Sequence, residues 1–118
     1  MKVLIVDDDE IMRRTLVRML RTLGHEALEA SSLVEAVAAL PGAHAAIVDV
    51  WLEDGASGPY VLLAAAEHGV PAFLTSGGIQ VPAGVAADRY LQKPFTTKEL
   101  GETLNALFRT SPRAASDG

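Results

Sequence analysis

The sequence alternates short apolar runs with segments of helical spacing, and this alternation limits the possible folds more than any other feature. Residues 2–6 and 45–48 are typical of buried strands, residues 72–74 and 89–92 give two more, and residues 26–30 a weaker one. Strands that alternate with helices indicate a parallel sheet with right-handed crossovers and helices on both faces. We therefore predict an α/β fold with a doubly wound, five-stranded parallel sheet.

The helices are marked by the residues that begin and end them. Asp9 is placed to cap the first helix. A capping box at Ser32–Glu35 opens a helix that we predict to run through Leu40, and Thr96 begins a second capping box for the last helix. Residues 79–88 contain a proline and a glycine and have poor helical spacing. The fourth helix is therefore expected to be short or irregular.

The length of 118 residues suits one domain; we assign residues 1–109 to it and expect residues 110–118 to form a flexible tail. The chain has no cysteine, which excludes disulfides and zinc thiolate sites. A net charge of −5 argues against nucleic-acid binding, and no leader or membrane segment is indicated, so we expect a cytoplasmic protein. The first helix carries four arginines that we interpret as a solvated face: Arg13, Arg14, Arg18 and Arg21.

Polar side chains stand at the ends of most of the predicted strands. Asp7 and Asp8 follow the first strand, Asp49 ends the third, Thr75 follows the fourth and Lys93 follows the fifth. In a doubly wound sheet the functional crevice lies at the carboxyl ends of the strands. If the second strand lies at the sheet edge, three carboxylates, one hydroxyl and one ammonium group meet in that crevice.

Three carboxylates in one crevice repel each other unless they bind a cation. Because the set contains no His or Cys, it favours a hard divalent ion, and we predict Mg²⁺. Such an ion neutralises phosphoryl oxygens, while Thr75 could donate a hydrogen bond to one of them and Lys93 could pair with another. We therefore predict that a carboxylate of this site attacks phosphorus and forms an acyl phosphate.

Four segments occur in an order and at a spacing that are typical of one family: Val6-Asp7-Asp8-Asp9, Asp49, Leu74-Thr75-Ser76-Gly77 and Tyr90-Leu91-Gln92-Lys93-Pro94-Phe95. Through them the chain resembles the receiver domains of two-component response regulators, the family that includes the chemotaxis regulators. The resemblance covers residues 1 to about 109. It implies a flavodoxin-like (βα)5 fold, a sheet of order 2-1-3-4-5 and a cis Lys93–Pro94 bond.

The resemblance also implies which residues hold the metal ion and the phosphoryl group. Asp49 is identified as the phosphoacceptor and as a metal ligand. Asp8 is implied to bind Mg²⁺ directly and Asp7 to bind it through water. The backbone carbonyl of Trp51 matches the remaining protein ligand.

Thr75 and Tyr90 are implied to form a switch pair, and Lys93 to bind the phosphoryl group. The resemblance further implies a protein that accepts a phosphoryl group from a sensor histidine kinase or a histidine phosphotransfer protein. Its only chemistry would be its own phosphorylation and dephosphorylation, so we do not expect an enzyme acting on other substrates. Its output would be an altered contact with a downstream protein, which the sequence does not identify. We expect this domain to bind neither nucleic acid nor a membrane.

Departures from the family pattern leave other functions open. The segment from Thr75 to Lys93 is shorter than usual, which is compatible with a receiver-like binding module that signals without phosphorylation. The chain could also be the receiver part of a larger regulator. An enzyme that hydrolyses phosphate esters through an aspartyl phosphate would need a general acid two residues after the nucleophile, where this chain has Trp51.

Overall fold

The protein is described by a computed structural model that covers residues 1–50, 52, 57–77 and 90–110. Strands and helices alternate along the chain, as predicted. In chain order they are β1 (Lys2–Val6), α1 (Glu10–Thr22), β2 (Glu26–Ala30), α2 (Leu33–Ala39), a 3₁₀ turn (Leu40–Gly42), β3 (Ala45–Asp49), α3 (Ser57–Glu67), β4 (Ala72–Ser76), β5 (Tyr90–Gln92) and α4 (Thr97–Thr110).

The five strands form one parallel sheet of order β2-β1-β3-β4-β5, which confirms the predicted order. The side chains of β1, β3 and β4 are almost all buried, whereas β2 and β5 are partly exposed. This difference follows from position, because the three inner strands have a strand on each side and helices on both faces. The weak apolar character of residues 26–30 is therefore that of an edge strand.

Helices cover both faces of the sheet, and each face has its own apolar core. α2 and α3 pack on one face, where the largest buried side chains include Leu4, Leu40 and Leu74. α1 and α4 pack on the other face, against Ile5 and Phe73. Since both faces are covered, the inner strands can consist almost entirely of apolar residues, and in this sequence they do.

The predicted caps form, although one helix ends earlier than expected. The Asp9 side chain accepts hydrogen bonds from the first turn of α1, and Ser32 and Thr96 accept from the residues three positions on. α2 ends at Ala39, and Leu40 begins a 3₁₀ turn because Pro41 cannot supply the backbone N–H that continues an α-helix.

Several sequence-based expectations lie outside the described residues. They include the irregular fourth helix over 79–88, the Trp51 carbonyl and most of the C-terminal tail, although α4 extends through residue 110, the first residue assigned to that tail. The Lys93–Pro94 peptide bond is cis, as expected. Within the described part of the chain, no helix is long and apolar enough to cross a bilayer.

Candidate functional site

The end of β1 places two carboxylates at the carboxyl edge of the sheet. Asp7 is 1% exposed, and its Oδ1 accepts a hydrogen bond from the backbone N–H of Asp9 at 2.9 Å. Asp8 is partly exposed beside it. The turn into α1 holds both residues, because Asp9 caps that helix and thereby fixes the path of the chain.

Asp49, the last residue of β3, brings the third carboxylate to the same edge. Asp7, Asp8 and Asp49 each offer an oxygen, and these oxygens lie within 4.8 Å of one another. Oxygen ligands of an octahedral Mg²⁺ ion lie about 3 to 4 Å apart, so small side-chain movements would suffice to bring all three to one ion. The donor set therefore fits a hard divalent cation that is completed by water.

Lys93 forms ion pairs with two of these carboxylates. Its Nζ lies 3.1 Å from Asp7 Oδ2 and 3.8 Å from Asp49 Oδ1. The backbone N–H of Lys93 donates to the carbonyl of Ser76 at 2.8 Å, which ties the residue after β5 to the end of β4. One ammonium group thus faces two of the three clustered carboxylates, and the site keeps an excess of negative charge.

Thr75 lies next to Asp49 in the sheet, since the two residues are paired in the register of β3 and β4. The threonine is 1% exposed. Among the residues that the structure describes, its Oγ1 is the one buried side-chain polar atom with no hydrogen-bond partner. Leaving a buried hydroxyl unpaired costs about 1–3 kcal/mol, and such a group is available to a ligand oxygen bound at Asp49.

Tyr90 does not contact Thr75 through its hydroxyl in this conformation. Its Oη lies 3.0 Å from Oγ of Ser76, the next residue on β4. The register explains this choice, because Tyr90 pairs with Leu74 and shares a face of the sheet with Leu74 and Ser76. The role of Thr75 and Tyr90 as a switch pair stays a prediction.

The interpretation of the α1 arginines as a uniformly solvated face is wrong for one of them. The Arg13 side chain is 17% exposed and its Nη1 donates to the backbone carbonyl of Asp7 at 2.7 Å. Its Nε lies 3.5 Å from Glu29 on β2. Helical spacing alone could not separate Arg13 from its neighbours, but its position one turn after the acidic run was a usable signal.

Gly58, near the start of α3, allows that helix to pack directly on the backbone that carries Asp49. A Cβ atom at Gly58 would lie 2.7 Å from the carbonyl oxygens of Asp49 and Val50. Backbone cannot move aside as a flexible side chain can. The local sequence does not reveal this close approach, because Ser-Gly-Pro is also typical of an ordinary turn.

We expect the Gly58→Ala substitution to lower the free energy of unfolding by about 1–3 kcal/mol, because the new methyl group must displace the end of β3. Urea unfolding measures this change. Gly42→Ala is the matched control: its Cβ would meet only Leu28 Cδ1 at 3.9 Å, and alanine reduces the entropy of the unfolded chain. Equal losses of stability in the two variants would contradict the close approach at Gly58.

No family model matches the sequence, and no curated protein does. Solved structures do match. A CheY-like response-regulator receiver domain protein from Methanospirillum hungatei JF-1 is similar with a TM-score of 0.80 at 24% identity, over 99% of this chain and 98% of that one. The receiver domain of the hybrid histidine kinase CckA is similar with a TM-score of 0.74 at 28% identity, over 91% and 98%.

NtrX from Brucella abortus, solved in complex with ADP, matches with a TM-score of 0.81 at 27% identity. The match covers 98% of this chain but 28% of that one, so it concerns one part of a longer protein. These similarities show that the chain has the fold of a response-regulator receiver domain.

Proposed function

We propose that this chain, which has the fold of a response-regulator receiver domain, accepts a phosphoryl group on Asp49 in a Mg²⁺-dependent reaction. The observation that supports this most is the convergence of three carboxylates and Lys93 at the carboxyl edge of the sheet. Strands distant in sequence contribute these groups. If these residues only capped a helix or carried surface charge, they would not need to lie close together.

A carboxylate oxygen of Asp49 attacks the phosphorus of a phosphohistidine, and a P–O bond forms while the P–N bond breaks. The imidazole leaves with the electron pair and takes a proton from solvent. Bound Mg²⁺, held by Asp8 and Asp49 and through water by Asp7, would neutralise charge on the phosphoryl oxygens. Hydrolysis of the acyl phosphate returns Asp49 to its starting state, and we expect no action on other substrates.

Two groups of the chain are suited to hold the transferred phosphoryl group. Lys93 Nζ, 3.8 Å from Asp49 Oδ1, can pair with one phosphoryl oxygen. The unpaired hydroxyl of Thr75 can donate to another and so lose its desolvation penalty. Thr75 is followed on β4 by Ser76, which is hydrogen-bonded to Tyr90. A movement of Thr75 on phosphorylation would therefore also move Tyr90 and change the protein's contacts.

The donor would be a sensor histidine kinase or a histidine phosphotransfer protein, and the output a contact with a downstream protein. The similarity to a receiver domain of a hybrid histidine kinase supports such a donor. We place the protein in the cytoplasm, where such donors present their phosphohistidine. The direct test is incubation with phosphoramidate and Mg²⁺, followed by intact-mass spectrometry. Addition of one phosphoryl group per chain is expected, and absence of uptake from this donor and from histidine kinases alike would refute the proposal.

Magnesium should raise the thermal unfolding midpoint, because an ion that binds only the folded site stabilises it by mass action. We expect Asp8→Asn to weaken Mg²⁺ binding by about tenfold or more, since it removes a charged ligand. The fluorescence of Trp51, the chain's single tryptophan, offers a second measurement of Mg²⁺ binding.

Asp9→Asn is the matched control for Asp8→Asn. Asparagine caps a helix about as well as aspartate, so the fold and the Mg²⁺ affinity should persist. Identical Mg²⁺ titrations for the wild type and Asp8→Asn would show that the ion does not bind at this cluster.

A further inference from the structure

The outer surfaces of α2 and α3 are apolar, although both helices already bury apolar residues in the core. The two helices contact each other on one face of the sheet. Their solvent-facing positions include four large apolar side chains that are 80%, 41%, 59% and 63% exposed, in order Val34, Val37, Tyr60 and Leu63. We call these four residues the α2–α3 apolar face.

The spacing of these residues indicates a second packing surface. Val34 and Val37 are one helical turn apart on α2, and Tyr60 and Leu63 are one turn apart on α3, so each pair lies on one side of its helix. The inward sides are apolar as well, with Ala36 buried on α2 and Val61 on α3. A helix that is apolar on both sides is normally covered on both sides.

The other two helices that the structure describes, α1 and α4, do not share this property. The exposed side of α1 carries Arg14, Arg18 and Arg21, and α4 carries Lys98 and Glu102 toward solvent. α2 and α3 each contain a single charged residue. The apolar surface is therefore specific to one side of the molecule and does not reflect the composition of the chain as a whole.

The charges around the α2–α3 apolar face indicate what could cover it. From Thr22 to Asp88 the sequence has eight acidic residues and no lysine or arginine. Glu67 on α3 is exposed one turn after Leu63, on the same side of that helix. Glu35 on α2 already has partners: hydrogen bonds from the backbone N–H and hydroxyl of Ser31 lower the pKa of its carboxyl, and the positive charge of Arg13 lowers it further.

A second copy of this chain is a poor occupant, because it would bring a second Glu67 and more of the same acidic segment to the face. We propose that the α2–α3 apolar face docks a helix of a partner protein, with an apolar stripe against the face and flanking Lys or Arg residues beside Glu67. This contact involves none of the residues of the phosphoryl site, and its test does not depend on phosphorylation.

The probe is a synthetic amphipathic peptide of about 18 residues, long enough to form a helix, with a leucine stripe flanked by lysines. A second peptide has glutamates in place of the lysines. We expect only the lysine peptide to bind at physiological salt, with amide NMR shift changes concentrated in residues 33–38 and 59–67. Leu63→Lys should weaken binding by about tenfold or more, because it puts a cation where the leucine stripe would pack.

Ile11→Lys is the matched control, since Ile11 is also an exposed apolar residue, 76% accessible, but lies on α1. It should leave the affinity within about twofold. Equal binding of both peptides, or shift changes centred on α1 or α4, would overturn the proposal. Self-association of the wild type in sedimentation that is lost in Leu63→Lys would also overturn the proposal, because a second copy of the chain would then occupy the face. Asp49→Asn should bind the lysine peptide normally, which separates this test from that of phosphoryl acceptance.

Discussion

Replacing Asp49 with asparagine should reduce phosphoryl uptake from phosphoramidate to less than about one hundredth of the wild-type rate. The substitution keeps the shape of the side chain but removes the anionic oxygen that attacks phosphorus. Lys93, 3.8 Å from Asp49, remains available to bind the phosphoryl group, so a loss of uptake isolates the nucleophile. Intact-mass spectrometry measures the product directly.

The folded state of this variant serves as an internal control. Asparagine at position 49 removes one of three carboxylates within 4.8 Å of one another, so the thermal midpoint without Mg²⁺ should not fall. Asp9→Asn, which changes a neighbouring acid committed to capping α1, should retain uptake. If the Asp49→Asn protein still gained a phosphoryl group, another residue would be the acceptor.

Replacing Lys93 with methionine should lower the free energy of unfolding without Mg²⁺ by about 3 kcal/mol. The substitution keeps most of the side chain's apolar stem but removes the ammonium group that lies 3.1 Å from Asp7. Asp7 is 1% exposed and cannot regain solvent when it loses this partner. The three carboxylates are then left without the cation that opposes their repulsion.

Urea unfolding in EDTA and in saturating Mg²⁺ tests this prediction. Mg²⁺ should restore much of the lost stability, because it supplies the missing positive charge to the same carboxylates. Lys98→Met is the control, since Lys98 is exposed on α4 and its loss should change stability by less than about 0.5 kcal/mol. A Lys93→Met protein as stable as Lys98→Met in EDTA would show that the ion pair contributes nothing to the fold.

The sequence predicted the structure best where the local preferences of the residues agreed with the overall α/β fold. The N-cap hydrogen bonds of Ser32 and Thr96 form because a hydroxyl three residues before a helical N–H can satisfy it whatever the surroundings. The reciprocal bond of a capping box forms at Thr96, whereas the Glu35 carboxylate accepts from Ser31 and not from Ser32. The meeting of Asp7, Asp49 and Lys93 was predictable, because parallel strands place their carboxyl ends at one edge.

Sequence reasoning missed features that depend on which surfaces meet. Ser57-Gly58-Pro59 is equally typical of a turn, and nothing in the neighbouring sequence shows that α3 packs on the carbonyls of β3. The hydrogen bond between Ser76 and Tyr90 depends on the register of β4 and β5. The exposed side of α2 and α3 was also not predicted, because apolar residues on both sides of a helix are equally typical of a buried one.

The order of the residues is enough to predict the alternation of strands and helices, the helix caps and the kinds of group that stand at the strand ends. These follow from interactions between residues close together in the chain, such as side-chain periodicity and the capping of free N–H groups. The tertiary structure decided which atoms pair: Lys93 with Asp7 more closely than with Asp49, Arg13 with the Asp7 carbonyl, and the Thr75 hydroxyl with no partner among the described residues. Only the packing of the sheet and helices sets the distances that decide between these pairings.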